Sequence, residues 1–138
     1  MVNISVASRA HRAFRDTLRF HFVQNEPFVA DTYKEFVAAG AEMGEPIGVY
    51  KNPDKVDPEA ILICDGGLIL IRSGSAQNIS FSDIQSTRSP SATEDNPDIS
   101  IVLHSKIVVR LRVAGADGQF RDVFSFVRFL DRVLEDRG

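Results

Sequence analysis

Few side chains in this sequence are of a type and spacing that could do chemistry: His11, His21 and His104, the lone Cys64, Gly74 in Arg72-Ser73-Gly74-Ser75, and the arginines Arg9, Arg12, Arg15 and Arg19. A metal centre needs His, Cys or carboxylates clustered at ligand spacing. The histidines are scattered, and His11 and His21 on one helix would stand about 15 Å apart by rise alone. They read as surface imidazoles, so no metal and no cofactor is expected. Cys64 and His104 could form a nucleophilic pair if the fold brought them together. A reactive thiolate needs an electropositive neighbour, however, and Cys64 ends the apolar run Ala60-Ile61-Leu62-Ile63-Cys64. It reads as a structural cysteine. Gly74 is followed by no Lys-Ser/Thr signature and opens no helix, as a phosphate loop would, so it reads as a plain β-turn. No catalytic constellation emerges, and the chain is expected not to be an enzyme.

The arginines remain. The formal charge of −3 argues against nucleic acid as a partner, because binding to its backbone is driven by cations. Yet residues 1–24 carry four Arg against one Asp, while residues 25–65 carry three Lys against nine acids. Arg9, Arg12, Arg15 and Arg19 are therefore read as an anionic-ligand surface. Near an anionic membrane each would contribute about 1 kcal/mol, giving weak adhesion.

The elements that must position these groups can be read from periodicity. Apolar residues at Ala10, Phe14, Leu18 and Phe22 follow a strict i, i+4 series and predict one amphipathic helix over residues 6–22. Pro27 opens a second, with Val29, Tyr33, Phe36, Val37 and Ala41 on its apolar side and Gly40 or Gly44 at its end. Short β-type runs follow, predicting seven strands near residues 46–51, 59–64, 68–73, 78–81, 84–88, 98–104 and 106–113. Asp65-Gly66 suits a type I′ hairpin turn, and residues 89–97 read as an exposed loop. Asp117 can cap a last helix over about residues 118–136, with Phe120, Val123, Phe124, Val127, Leu130 and Leu134 facing the core.

Two apolar surpluses stand out. The runs at 60–64 and 68–71 are apolar on both faces, so something must cover their outer side. Phe126, Phe129 and Val133 form a second stripe on the last helix. Burying one such side chain is worth about 1.5–3 kcal/mol, so surfaces of this size do not stay bare. Phe14, Leu18 and Phe22 are expected to cover them, either within the chain or from a second copy. These three and Phe126, Phe129 and Val133 are the candidate interaction residues.

The order of elements, with Gly44-Glu45-Pro46-Ile47 leading the first strand, the Asp65-Gly66-Gly67-Leu68 turn, and Ile79-Ser80-Phe81-Ser82-Asp83-Ile84, resembles a bacterial pleckstrin-homology-like (PH-like) domain over residues 44–135. The family more often has a charged turn ending in Arg-Leu where Asp65-Gly66-Gly67 stands, and often Pro where Ser80 stands. The resemblance implies an α+β fold: a seven-stranded antiparallel half-open barrel with a C-terminal capping helix. Two helices would precede it, with residues 1–43 packed on a domain of residues 44–138. It also implies a binding or self-assembly scaffold. Some relatives hold phosphoinositides in the loop between the first two strands. Here that loop pairs Lys51 and Lys55 with Asp54 and Asp57, which cancels the charge. The expected function is a non-enzymatic protein-interaction or self-assembly module, with peripheral membrane or anionic-ligand binding as the alternative. One cysteine and an N-terminal segment broken by arginines fit a cytoplasmic protein.

Overall fold

The computed structural model describes residues 5–53, 58–88, 98–114 and 121–137. Loop 89–97, the loop residues 54–57, the cap Asp117 and Phe120 lie outside the described residues. The chain is α+β, with eight antiparallel strands in two sheets and a C-terminal helix. One sheet runs β1 (Phe20–Phe22), β2 (Pro46–Lys51), β3 (Ala60–Cys64), β4 (Gly67–Arg72), β5 (Ser75–Ser80), in that spatial order. The other runs β6 (Ile84–Arg88), β7 (Asp98–Leu103), β8 (Val108–Arg112). The sheets do not close into a barrel. Side chains fasten them instead. Asn52, buried at the end of β2, donates through Nδ2 to the carbonyls of Pro58 and Arg112 and accepts from the Ala114 amide, each at 2.8 Å.

All seven expected strands are present; the N-terminal segment departs from expectation. Helix α1 covers only Val6–Phe14, its start capped by Ser5 Oγ, which accepts from the Ser8 amide at 3.1 Å. The chain then turns, and Phe20–Phe22 forms β1, pairing with Gly48, Val49 and Tyr50 of β2. The reason is a coincidence of periods. Phe22 continues the spacing of four but also the spacing of two from Phe20, and the second pattern wins because it pairs the open edge of β2. Leu18, left in the turn, is 88% exposed.

The second expected helix is broken in two, α2 (Phe28–Thr32) and α3 (Lys34–Ala39), with Tyr33 between them at φ −110° and ψ 16°. A 3₁₀ turn, Ala41–Met43, follows. This segment is the required lid. Val29 and Met43, with the half-buried Val23, Tyr33, Phe36 and Val37, cover the outer side chains Val49, Ala60, Leu62, Cys64, Ile69 and Ile71.

The Asp65-Gly66 turn is not type I′, because neither residue has positive φ. That turn joins β4 to β5 instead, where Ser73 (φ 48°) and Gly74 (φ 82°) lie between the paired Arg72 and Ser75. Gly66 and Gly67 serve close approach: the Gly66 amide donates to the Met43 carbonyl at 2.7 Å, drawing the 3₁₀ turn onto the hairpin.

Helix α4 (Arg121–Arg137) presents a different face from the expected one. Val123, Phe126, Phe129, Leu130 and Val133 are buried, whereas Phe124 is 63% exposed and Val127 and Leu134 are half-buried. The cause is α1, which packs against α4 and inserts Phe14 beside Phe126 and Phe129, at centroid distances of 5.1 and 5.4 Å. The apolar arc is wide because the helix touches two bodies, the sheets and α1. Tyr50 Oη donates to Asp122 Oδ2 at 2.6 Å and pins the first turn of α4 to β2.

Candidate functional sites

Of the six expected interaction residues, five face inward within their own chain. Phe14, Phe22, Phe126, Phe129 and Val133 belong to one core cluster with Ile61, Leu68 and Ile101. They pack on one another inside this chain, the first of the two expected ways of covering the stripe. Leu18 is the one at the surface, and it sits outside any helix.

The four arginines separate. Arg9, near the start of α1, donates from Nε and Nη2 to the two carboxylate oxygens of Asp136, near the end of α4, at 2.7 and 2.8 Å. With Phe14 against Phe126, this makes the two helices antiparallel. The same hydrogen bonds hold the Asp136 carboxyl below its usual range and raise the Arg9 guanidinium. Arg15 stands 3.7 Å from Asp16. Arg19 lies past the helix, its carbonyl accepting from the Lys51 amide. Only Arg9 and Arg12 therefore share a site. They line a groove of about 400 Å³ with Arg128 and Arg132 of α4, over a floor of Ala13 and Phe129. Arg128 and Arg132 were visible in the sequence as an i, i+4 pair. The sequence left open whether α1 covers the strands or the last helix, and only its packing on α4 sets them opposite Arg12.

A second concavity, about 570 Å³, opens where the end of α4 passes the start of β6. Phe81, Ile84 and Leu134 supply its apolar surface; Ser82, Gln85, His104 and Arg137 supply polar groups. The Arg137 guanidinium lies 6.0 Å from the Phe81 ring centroid, and Lys106 Nζ donates to Gln85 Oε1 at 2.8 Å. β6 is the outer strand of its sheet.

The histidines and the cysteine do not meet. His11 stacks on Phe22 with centroids 4.2 Å apart, and His21 Nδ1 lies 2.8 Å from Glu26 Oε2. His104 lines the cleft, whereas Cys64 is buried beneath α2 and α3 in the other apolar cluster. Burial, reinforced by Asp65 and Glu45, pushes the Cys64 thiol up to about 12. It should stay protonated at pH 8, where an ordinary thiol near 8.5 is substantially ionised. Iodoacetamide is expected to label it roughly a hundredfold or more slower in the folded protein than in urea; equal rates would contradict its burial. Among the described residues no group of His, Cys, Asp and Glu is placed to hold a metal ion, and no helix is long and apolar enough to cross a membrane.

These features define an α+β protein of two antiparallel sheets with packed helices, whose described residues form an arginine-lined groove and a mixed cleft at the surface. Comparison with models of known protein families gives no match, and comparison with curated proteins gives none either.

Proposed function

We propose that this chain is a non-enzymatic protein-interaction module of PH-like fold that docks an extended peptide in the cleft between β6 and the end of α4. The single observation that carries the reading is the cleft's composition. Phe81, Ile84 and Leu134 offer an apolar seat, Arg137 offers a cation beside it, and among the described residues no carboxylate lines the space. An extended segment carrying an apolar side chain next to an acidic one fits that chemistry, and the side of β6 that pairs with no strand among the described residues offers main-chain groups for a strand to add to. The order of seven strands and a closing helix supports the PH-like assignment. The buried thiol and its separation from His104 support a binding role over a catalytic one. Self-association through the Phe126 stripe has lost its driving force, because the chain's own α1 covers it, so the partner is a different chain.

A displayed library of random peptides, panned against the purified protein, should converge on a motif pairing an apolar with an acidic residue. Light scattering should meanwhile give a concentration-independent 15.3 kDa monomer. The enriched peptide should bind Leu134→Arg and Arg137→Glu variants about tenfold or more weakly, a change of about 1.4 kcal/mol or greater. No enrichment, or binding indifferent to both variants, would remove the reading.

A further inference from the structure

Among the described residues, the α1–α4 groove gathers more positive charge than is neutralised there. Arg9, Arg12, Arg128 and Arg132 converge on it. Asp136 engages Arg9 through both oxygens, and Glu135 meets Arg132 at 3.2 Å. Arg12 and Arg128 have no hydrogen bond or ion pair among the described residues, although the charge of Arg12 reaches Asp136 through space. Two further carboxylates among the described residues of these segments are engaged elsewhere. Asp131, one turn from Arg128, accepts from Thr87 Oγ1 at 2.8 Å, and Asp16 stands beside Arg15. Among the described residues, four cations against two carboxylates leave two positive charges unmatched, in a chain whose total is −3. Like charges at i, i+4, as at Arg128 and Arg132, work against a helix.

Guanidinium is the side-chain group whose planar fork matches a tetrahedral oxyanion through paired hydrogen bonds. Arg9 and Arg132 are already oriented by their carboxylates, which fixes the walls of the site. Arg12, on one helix, and Arg128, on the other, are free to close on a ligand between them. The floor of Ala13 and Phe129 excludes water from one side, which strengthens charge-assisted hydrogen bonds above it. The volume suits a small ligand. We infer that this groove binds a phosphate monoester dianion, with Arg12 and Arg128 donating to its oxygens and Arg9 and Arg132 as fixed flanking charges. The inference does not depend on peptide docking at the cleft.

Inorganic phosphate is the first probe, titrated by calorimetry into the full chain. Saturable one-to-one binding is expected, weakened about tenfold or more by Arg12→Gln and by Arg128→Gln. Arg15→Gln, which removes an equal charge just past the end of α1 and outside the groove, should leave affinity within about twofold. Absence of saturable binding, or an equal loss in the Arg15 variant, would overturn the site in favour of diffuse attraction. Vesicles then separate two sources of the same group. Binding to phosphatidic acid over phosphatidylserine at matched surface charge, abolished by Arg12→Gln, assigns the phosphate to a lipid headgroup. Phosphate binding without vesicle binding assigns it to a free ligand. Equal binding to both lipids with no phosphate binding would refute the inference.

Discussion

Replacing Phe14 by alanine is expected to destabilise the protein by about 3–5 kcal/mol, the usual range for deleting a buried phenylalanine. In a domain of this size that corresponds to a fall in melting temperature of roughly 10–20 °C. The ring is 1% exposed, stacks on Phe20 with centroids 4.4 Å apart and planes 7° from parallel, and meets Phe126 and Phe129 edge-on or tilted. It is thus shared by α1, β1 and α4. Helix α1 has nine residues, too few to persist alone in water, and the surface pair Arg9–Asp136 contributes little by comparison. Loss of the ring should therefore free the helix as well as open a cavity, seen as early hydrogen exchange across residues 6–14. Leu18→Ala is the companion variant. At 88% exposure it should change stability by less than about 0.5 kcal/mol. A continuous helix over residues 6–22 would make Phe14 and Leu18 near-equivalents, so comparable losses in the two variants would reject the observed turn and β1.

That contrast marks where sequence reasoning reaches its limit. Strands such as β7 and β8 were legible because Ile99, Ile101, Val109 and Leu111 alternate with polar residues, and a half-buried strand needs little else. The demand for a lid over β3 and β4 was legible too, since apolar residues on both faces admit few alternatives. The identity of the lid was not, because two N-terminal segments had apolar faces to offer and only packing decides between them. The face of α4 was misread for a related reason. Its arc is wide enough for two orientations, and the ring of Phe14, distant in sequence, selects the one that buries Phe126, Phe129 and Val133. The groove inherits this ambiguity: Arg12 and Arg128 face each other only once Phe14 has set the position of α1. The Asp65-Gly66 turn failed on different grounds. Its glycines respond to crowding from outside the hairpin, which a local turn rule does not contain.

Gly67 shows how strong that crowding is, and Gly67→Ala is expected to cost about 3 kcal/mol or more, at or beyond the upper end for overpacking. Its φ is not in the left-handed region, so alanine meets no backbone strain there and the whole effect is steric. A Cβ at this position would be driven into the Ile79 carbonyl oxygen and the Met43 sulfur, and would come within 3.0 Å of Ser80 Cα. Methionine can move aside. The β5 backbone cannot retreat without giving up its ladder, in which Gly67 opposes Ser80 and Leu68 opposes Ile79. Gly74 is the opposite case, with φ +82° and nothing within 4 Å of an added Cβ. Alanine there should cost only about 1–2 kcal/mol of dihedral strain, and asparagine, which tolerates the left-handed region, less. Urea unfolding of the three variants should rank Gly67→Ala as the most damaging and Gly74→Asn as the mildest; a neutral Gly67→Ala would mean that β5 does not approach β4 as closely as the register requires. The damage should also reach the cleft. The Phe81 amide donates to the Gly66 carbonyl at 2.9 Å, so displacing Ser80 shifts the ring that forms part of the peptide seat, and affinity for a selected peptide should fall in any fraction that still folds.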